Sequence, residues 1–331
     1  MIDMREIVNN SLSNIQFLPI KPRLIAKIIK NYFRLLILRK PCLRVINLAL
    51  NYDCQLSCRN CSAQELKNRA DYFERLSLPQ IKKALQEAQK CGAINIHFTG
   101  GEPLLNKDFY KIASLVDKER NILSLVTNGI LLGRESENLK KAGFDLVIVS
   151  IDSPQAERHD KLRGHQGLHQ KAWEGIEAAR KAGLKVMIAM IATPDNLYNG
   201  EVDEQIRLCR QKGLVLQLLP LRIAESQGGA RKIWRDSKDI SAFRNFVTRY
   251  IVRWDGQASY LSARCLAARE RLYINPNGEV FPCDFIQICF GNIKNNSLID
   301  IWYKMLNVYP FNQKNSACLS AFGKDTNSFC F

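Results

Sequence analysis

Between residues 43 and 225, short β-branched or leucine-rich runs alternate with stretches whose apolar residues recur at helical spacing. The runs are LRVINLAL, INIHFTG, ILSLVTNG, LVIVSID, KVMIAMIAT and LVLQLLPLR. Between them lie LPQIKKALQEAQKCG, DFYKIASLVDKE, SENLKKAGF, KAWEGIEAARKAGL and VDEQIRLCRQKGL, the last three closing near a glycine, the usual helix stop. Strands and helices in alternation predict right-handed crossovers and a parallel sheet. Six such units make an α/β fold, a partial (β/α)6 barrel open on one side. After it, SQGGARK reads as a joint, ISAFRNFVTRYIVRW as a helix, and YINPNGEVFPCDF as a hairpin turning at Asn277 and Gly278. The pattern divides the chain into a leader over 1–42, a barrel over 43–225, and a linker helix with a small cysteine-rich α+β domain over 226–331.

In the leader, Ile25, Ile28, Ile29, Tyr32 and Leu36 recur at helical spacing, with Arg23, Lys27, Lys30 and Arg34 on the opposite face, between Pro22 and Pro41. A basic amphipathic helix of this kind suits an anionic membrane surface. The same pattern also suits a helix docked on its own domain, and the membrane reading is the secondary one.

Apolar residues make up 46% and charged residues 24%, ordinary globular usage that excludes a disordered, collagen-like or coiled-coil chain. No apolar run approaches the roughly 18 residues of a spanning helix. The start lacks a basic segment followed by an apolar one, so the expected location is cytoplasmic, peripheral to the membrane if the leader binds it. There, eleven cysteines read as thiols or metal ligands before disulfides. The net charge of +16 favours an acidic partner, and residues 1–44 hold nine Lys/Arg against two Asp/Glu. No aromatic-interleaved basic motif accompanies that charge, so nucleic acid is not the expected partner.

Cys54, Cys58 and Cys61 sit in NYDCQLSCRNCSA, directly after the first strand, on the loop face where barrel folds build active sites. Structural zinc wants four ligands, usually as two close pairs, and here three cysteines share one loop. An iron–sulfur cubane held by three thiolates keeps one iron open for an exchangeable ligand. The spacing resembles the signature of the radical S-adenosylmethionine (SAM) superfamily, with Asn60 standing where an aromatic residue or histidine is frequent. The resemblance implies a [4Fe-4S] cluster whose open iron is chelated by SAM. It also implies one-electron cleavage of SAM to methionine and a 5′-deoxyadenosyl radical that takes a hydrogen atom from the substrate, and a reductant such as flavodoxin or ferredoxin.

Further positions fit that resemblance. Gly100, Gly101, Glu102 and Pro103 follow the second strand; the glycines would let a ligand approach the backbone, and Glu102 could accept from the SAM ammonium group. Thr127, Asn128 and Gly129 end the third strand and are expected to flank the cofactor, Asn128 as a contact. Ser150 and Asp152 end the fourth, where relatives contact the SAM ribose or methionyl group. Asp152 is also the candidate catalytic residue, or a cap of the next helix. The Arg163 fork suits the SAM carboxylate. His97, His159, His165 and His169 form no ligand pattern and read as structural or solvated.

In the tail, Cys265 is followed by twelve residues, Gly278, four residues and Cys283. This resembles the hairpin that opens the twitch and SPASM domains of radical SAM enzymes. The dense four-cysteine run of a full SPASM tail is missing, since only Cys289, Cys318 and Cys330 remain. The resemblance therefore implies one auxiliary [4Fe-4S] cluster on Cys265, Cys283, Cys318 and Cys330, with Cys289 as the substitute; a zinc site on the same thiolates is the alternative. Cys42, Cys91 and Cys209 read as buried thiols. The implied function is a radical SAM oxidoreductase or maturase that oxidises or joins a natural-product or peptide-type substrate. A membrane lipid is the alternative substrate, and a non-catalytic electron-transfer or zinc-binding protein the alternative of another class.

Overall fold

The computed structural model describes residues 19–61, 63, 66–67, 74–221, 234, 237–247, 249, 251–261, 264–313 and 318–319. Its first element is α1, Pro22–Leu36, with proline in its first turn, where the missing N–H costs nothing. The six anticipated strands follow as β1 Val45–Asn51, β2 Asn95–Gly100, β3 Ile122–Thr127, β4 Leu146–Ser150, β5 Lys185–Ala192 and β6 Val215–Pro220. Helices α2 Leu78–Lys90, α3 Phe109–Ser114, α4 Leu132–Lys141, α5 Ala156–Arg163, α6 Leu168–Lys181, α7 Pro194–Tyr198 and α8 Glu201–Gln211 connect them. Each of β2 to β6 pairs in parallel with its predecessor, which gives the partial barrel.

The sheet grows beyond these six strands at both ends, in the order β7-β6-β5-β4-β3-β2-β1-β8-β9. β7, Val252–Arg253, lies parallel to β6. β8, Arg271–Ile274, lies parallel to β1, and β9, Val280–Phe281, returns antiparallel to it. The expected hairpin thus exists, with Gly278 at φ +93° in its turn. Its first strand continues the barrel sheet instead of standing apart from it.

Two segments differ from expectation. ISAFRNFVTRYIVRW is helical only in its first part, as α9 Ser237–Val247, and the β-branched Val252 pairs at the sheet edge instead, where the Leu216 N–H donates to the Ile251 carbonyl. DFYKIASLVDKE shrinks to α3 because Asp117 closes a turn on the backbone N–H groups of Glu119 and Arg120.

Alternation along the strands sorts residues between two environments. Ile46, Leu48, Ile96, Phe98, Leu123 and Leu125 join the helices in the main core. There α2 offers Ile81, Ala84, Leu85 and Ala88, one stripe at helical spacing. The inward side is divided: Asn47, His97 and Ser124 are cross-strand neighbours in one row, while Leu146, Ile148, Met187 and Ala189 form an apolar cluster on β4 and β5.

α1 closes the end where the strands begin. Leu24 is buried with Ile94, Ile122 and Tyr260, and Asn31 donates to the Gly92 carbonyl and the Tyr260 hydroxyl, both at 2.7 Å. Lys21 pairs with Asp145 at 2.7 Å, and Lys27 reaches the Ala93 carbonyl. The faces are therefore not those read from the sequence. Ile25 and Ile29 point outward, whereas burial drives the Lys27 ammonium down to about 8. At the other end of the chain, α10, Leu298–Leu306, buries Trp302, whose indole donates to the Ala268 carbonyl at 2.7 Å.

Close approach of α4 and α6 depends on Gly175. A β-carbon there would lie 2.9 Å from the Leu132 Cβ and 3.1 Å from the Gly129 carbonyl oxygen. Replacing a mid-helix glycine recovers less than about 1 kcal/mol of helix propensity, and overpacking costs about 1–3 kcal/mol, so the clash wins. Gly175→Val is expected to lower the urea midpoint; an unchanged or raised midpoint would show that the two helices separate freely.

Candidate active site

The cysteine loop leaves β1 and is fastened to the turn after β2 by backbone hydrogen bonds. The Gly101 N–H donates to the Asn51 carbonyl at 2.9 Å and the Glu102 N–H to the Asp53 carbonyl at 2.8 Å. This proximity requires the glycines: a β-carbon on Gly100 would sit 2.1 Å from the Asn51 oxygen, and one on Gly101 2.4 Å from the Asp53 oxygen. The two glycines thus make room for the chain's own strand end while also lining the cavity described below. On its far side the loop rests on the end of α5. The Arg59 N–H donates to the Leu162 carbonyl, and Gly164, at φ +67°, leaves space for Ser57.

Glu102 has its carboxylate turned into the protein, not toward the cavity. It is fully buried and accepts from the Thr127 hydroxyl at 2.9 Å, the Asn128 N–H at 2.9 Å and the Leu104 N–H at 3.2 Å. Burial pushes it up to about 7 against the opposing pull of those donors. Its placement makes it a brace between the ends of β2 and β3.

Asp152 is buried just beyond β4 and forms an ion pair with Arg163 at 2.6 Å; its carboxylate also accepts from the Ile191 N–H at 3.2 Å. It does not cap α5, whose preceding residue is Gln155. The Asp152 N–H donates to His159 Nδ1 at 3.1 Å, which fixes that fully buried imidazole as an acceptor. Burial, reinforced by Arg163, lowers His159 to about 4.

Cys54, Cys58 and Cys61 line one cavity of about 470 Å³ together with Gly100, Gly101, Asn128, Ser150, Asp152 and Arg163. Of the motif residues singled out in the barrel, Glu102, Pro103 and Gly129 do not line this cavity. Arg163 Nη1 is 4.0 Å from the Cys58 sulfur and Asn128 Nδ2 is 3.8 Å from the Cys54 sulfur. Burial raises the thiol pKa of both cysteines, which Arg163 opposes at Cys58. Among the described residues no three His, Cys, Asp or Glu side chains close on a single metal ion. The ligands of a cluster bind different irons and need not meet at one point.

The same cavity is also lined by polar residues that motif reading passed over: Asn47, His97, Gln217, Asp255, Arg271 and Asp284. Arg271 pairs with Asp255, which also accepts from Gln217, and Asn47 donates to Asp284 at 2.6 Å. His97, expected to be structural or solvated, lines this cavity, and burial lowers it to about 4, so it is neutral near pH 7. The signal was available in the strands. Asn47 and His97 each interrupt an apolar run at matched register, with Tyr273 beside Asn47 on β8. The lining also includes the apolar Val126, Ile148, Ala189 and Leu219.

In the tail, Cys283 is buried and Cys265 partly so; their segments are joined by the Ala268 N–H donating to the Pro282 carbonyl at 2.9 Å. Asp284 and Phe285, the two residues after Cys283, reach the cavity. Cys318 is buried, whereas Cys289 is exposed with its sulfur 3.4 Å from the Gly291 carbonyl oxygen. Cys330 lies outside the described residues. Cys42, Cys91 and Cys209 are buried thiols, as expected.

An open parallel barrel with three cysteines on the first loop defines the class, and comparison with known proteins agrees. The radical SAM superfamily profile matches residues 50–209, and that of an iron–sulfur cluster-binding domain, SPASM, matches residues 265–320. The chain belongs to the radical SAM superfamily and carries a SPASM domain. The AdoMet-dependent heme synthase of Oleidesulfovibrio alaskensis is 26% identical over 298 residues, 80% of this chain and 75% of that protein. The probable GTP 3′,8-cyclase of Methanocella arvoryzae is 31% identical over 176 residues, 53% of this chain and 56% of that one, so the match spans just over half of the cyclase. Among solved structures, SuiB of Streptococcus suis superposes with a TM-score of 0.62 at 18% identity, covering 83% of this chain and 69% of SuiB. Native anSMEcpe with bound AdoMet gives 0.59 at 22% identity, covering 78% and 80%. The cofactors of these two domains are a [4Fe-4S] cluster with SAM in the barrel and auxiliary iron–sulfur in the tail. The donor sets fit: three thiols share the cavity wall with Asn128 and Arg163 directed at two of the sulfurs, and the tail brings two cysteine segments together.

Two outcomes follow for the Asp152 corner. Asp152→Ala leaves Arg163 buried without its carboxylate, and about 3–5 kcal/mol of stability should be lost, measurable by urea unfolding; a loss below about 1 kcal/mol would mean that the pair is solvated. His159 has a folded-state pKa below its unfolded value. Its contribution is complete above about pH 6.5 and fades toward pH 4, as the unfolded chain takes up the proton first. The melting temperature of His159→Asn should therefore fall less than that of the wild type over that range, and parallel curves would refute the assignment.

Proposed function

We propose that the chain is a radical SAM oxidoreductase of the maturase type that oxidises or joins a small natural-product or peptide substrate. The observation that carries this reading is the single cavity. Cys54, Cys58 and Cys61 line it, and so do Asp284 and Phe285, the two residues that follow Cys283. A substrate held there would touch both the barrel cysteine loop and the segment that follows Cys283. When bound, the barrel cluster and SAM supply reductive SAM cleavage that ends in removal of a substrate hydrogen atom, and the tail cluster supplies an acceptor for the electron left on the substrate.

The protein's own residues do the rest by position. Cys54, Cys58 and Cys61 hold the barrel cluster, and Cys265, Cys283, Cys318 and Cys330 the tail cluster. Gly100, Gly101, Asn128, Ser150 and Arg163 surround SAM, with Arg163 oriented by Asp152 and the glycine turn braced by Glu102. Neutral His97, the Arg271–Asp255 pair and Asn47 offer fixed hydrogen-bonding groups to the polar side of a substrate, while Ile148, Ala189 and Leu219 exclude water from its apolar side. Such a divided cavity suits an amphipathic molecule or a peptide side chain better than a bare hydrocarbon. SuiB has been solved bound to the precursor peptide SuiA, and anSMEcpe with AdoMet and the Cp18Cys peptide, so the fold accommodates bound peptides in other proteins.

Anaerobically reconstituted protein should contain about eight irons per chain, and about four after Cys54, Cys58 and Cys61 are all replaced by Ala. Stoichiometric zinc with only four irons would remove the tail cluster from the reading. Dithionite-reduced protein should release 5′-deoxyadenosine from SAM, and Cys58→Ala should not. Cys283→Ala, once shown to be soluble and loaded with the barrel cluster, should retain that release; full release by the Cys58 variant would overturn the assignment.

A further inference from the structure

α1 divides its apolar residues between two sides. Leu24, Ile28, Tyr32 and Leu35 pack inward against Cys42, Ile94, Ile122 and Tyr260. Ile25, Ile29, Phe33 and Ile37 recur every fourth residue on the other side and are 43%, 64%, 53% and 65% exposed. Side chains four apart stack along a helix, so these form one continuous apolar stripe. Ile20 and Leu38 extend it at either end. Nothing in the folding of the helix requires the stripe, because the inward side already secures α1, and a contiguous exposed apolar patch marks a contact surface.

Charge indicates what meets it. Residues 19–44 contain no Asp or Glu. The inward-leaning cations are engaged, Lys21 with Asp145, Lys27 with the Ala93 carbonyl and Arg34 with the Lys90 carbonyl. Arg23, Lys30, Arg39 and Lys40 are exposed around the stripe, and among the described residues none of them forms an ion pair. An apolar ridge bordered by unpaired cations matches an anionic bilayer surface, where side chains enter the acyl boundary and cations meet headgroups. A second copy of the same face would bring four cations against four.

We propose that α1 docks the protein on anionic lipid membranes, lying in the plane of the interface. α1 covers the end where β2, β3 and β4 begin, and the cysteine loop lies at the end where they finish. Docking therefore turns the cavity mouth away from the bilayer. The surface is a tether rather than a route for lipid into the site, and the substrate arrives from the aqueous side.

The test uses the full chain with phosphatidylcholine vesicles, with and without phosphatidylglycerol. It should co-sediment only with the anionic vesicles at low ionic strength and be released at high salt as the Debye length shortens. Replacing Arg23, Lys30, Arg39 and Lys40 with Gln should weaken binding by about 100-fold or more. Replacing Ile25, Ile29, Phe33 and Ile37 with Ser should weaken it about tenfold or more while the protein still melts cooperatively, since the buried side of α1 is untouched. Phe33→Trp gives a readout independent of sedimentation: brominated lipid should quench its emission beyond the wild-type level. Absence of sedimentation at low salt, equal binding by the Ser variant, or no added quenching at position 33 would overturn the proposal. So would a concentration-dependent dimer that dissociates in the Ser variant, which would give the stripe to a second copy. None of these outcomes bears on SAM cleavage, so the tether and the radical assignment fail separately.

Discussion

The site depends on one constraint, the backbone contact between the end of β1 and the glycine turn after β2. With Gly100 and Gly101 in place, the Asn51 and Asp53 carbonyls accept from the turn, and the cysteine loop starts from a fixed position. Glu102 then carries the constraint sideways, because its buried carboxylate gathers Thr127 and Asn128 at the end of β3. Asn128 in turn faces the Cys54 sulfur. Three strand ends are thus positioned by hydrogen bonds within the protein, which suits a loop that must present thiols at a set geometry before any metal arrives.

Much of this was legible in the chain. Alternating strand and helix patterns located all six barrel strands, and the cysteine spacing with the Gly-Gly-Glu-Pro turn located the mouth of the cavity. One role of that turn was not legible: its glycines also admit the carbonyls of the chain's own Asn51, Tyr52 and Asp53. The polar part of the lining escaped because Asn47, His97 and Arg271 belong to no motif. They acquire meaning only when cross-strand register puts them side by side.

The faces of α1 and the linker show a second limit. Helical spacing reveals that apolar residues share a stripe, but α1 has two stripes, and spacing cannot say which one meets the domain. Partners 60 or more residues away decide it, such as Gly92 and Tyr260 for Asn31. Likewise the segment around Val252 has a plausible helical period, yet β6 offers an open edge, and pairing there satisfies backbone groups that a frayed helix end would leave to water.

Placement of β8 beside β1 has a consequence for how the chain can be divided. β1 is an interior strand only because the tail supplies its neighbour on one side. A fragment ending before Cys265 would keep the cysteine loop yet expose a bare strand edge with unsatisfied N–H and C=O groups, the template on which chains stick to one another. The tail is therefore also the barrel's guard against aggregation. Light scattering of such a fragment would report it as self-association, whatever its iron content.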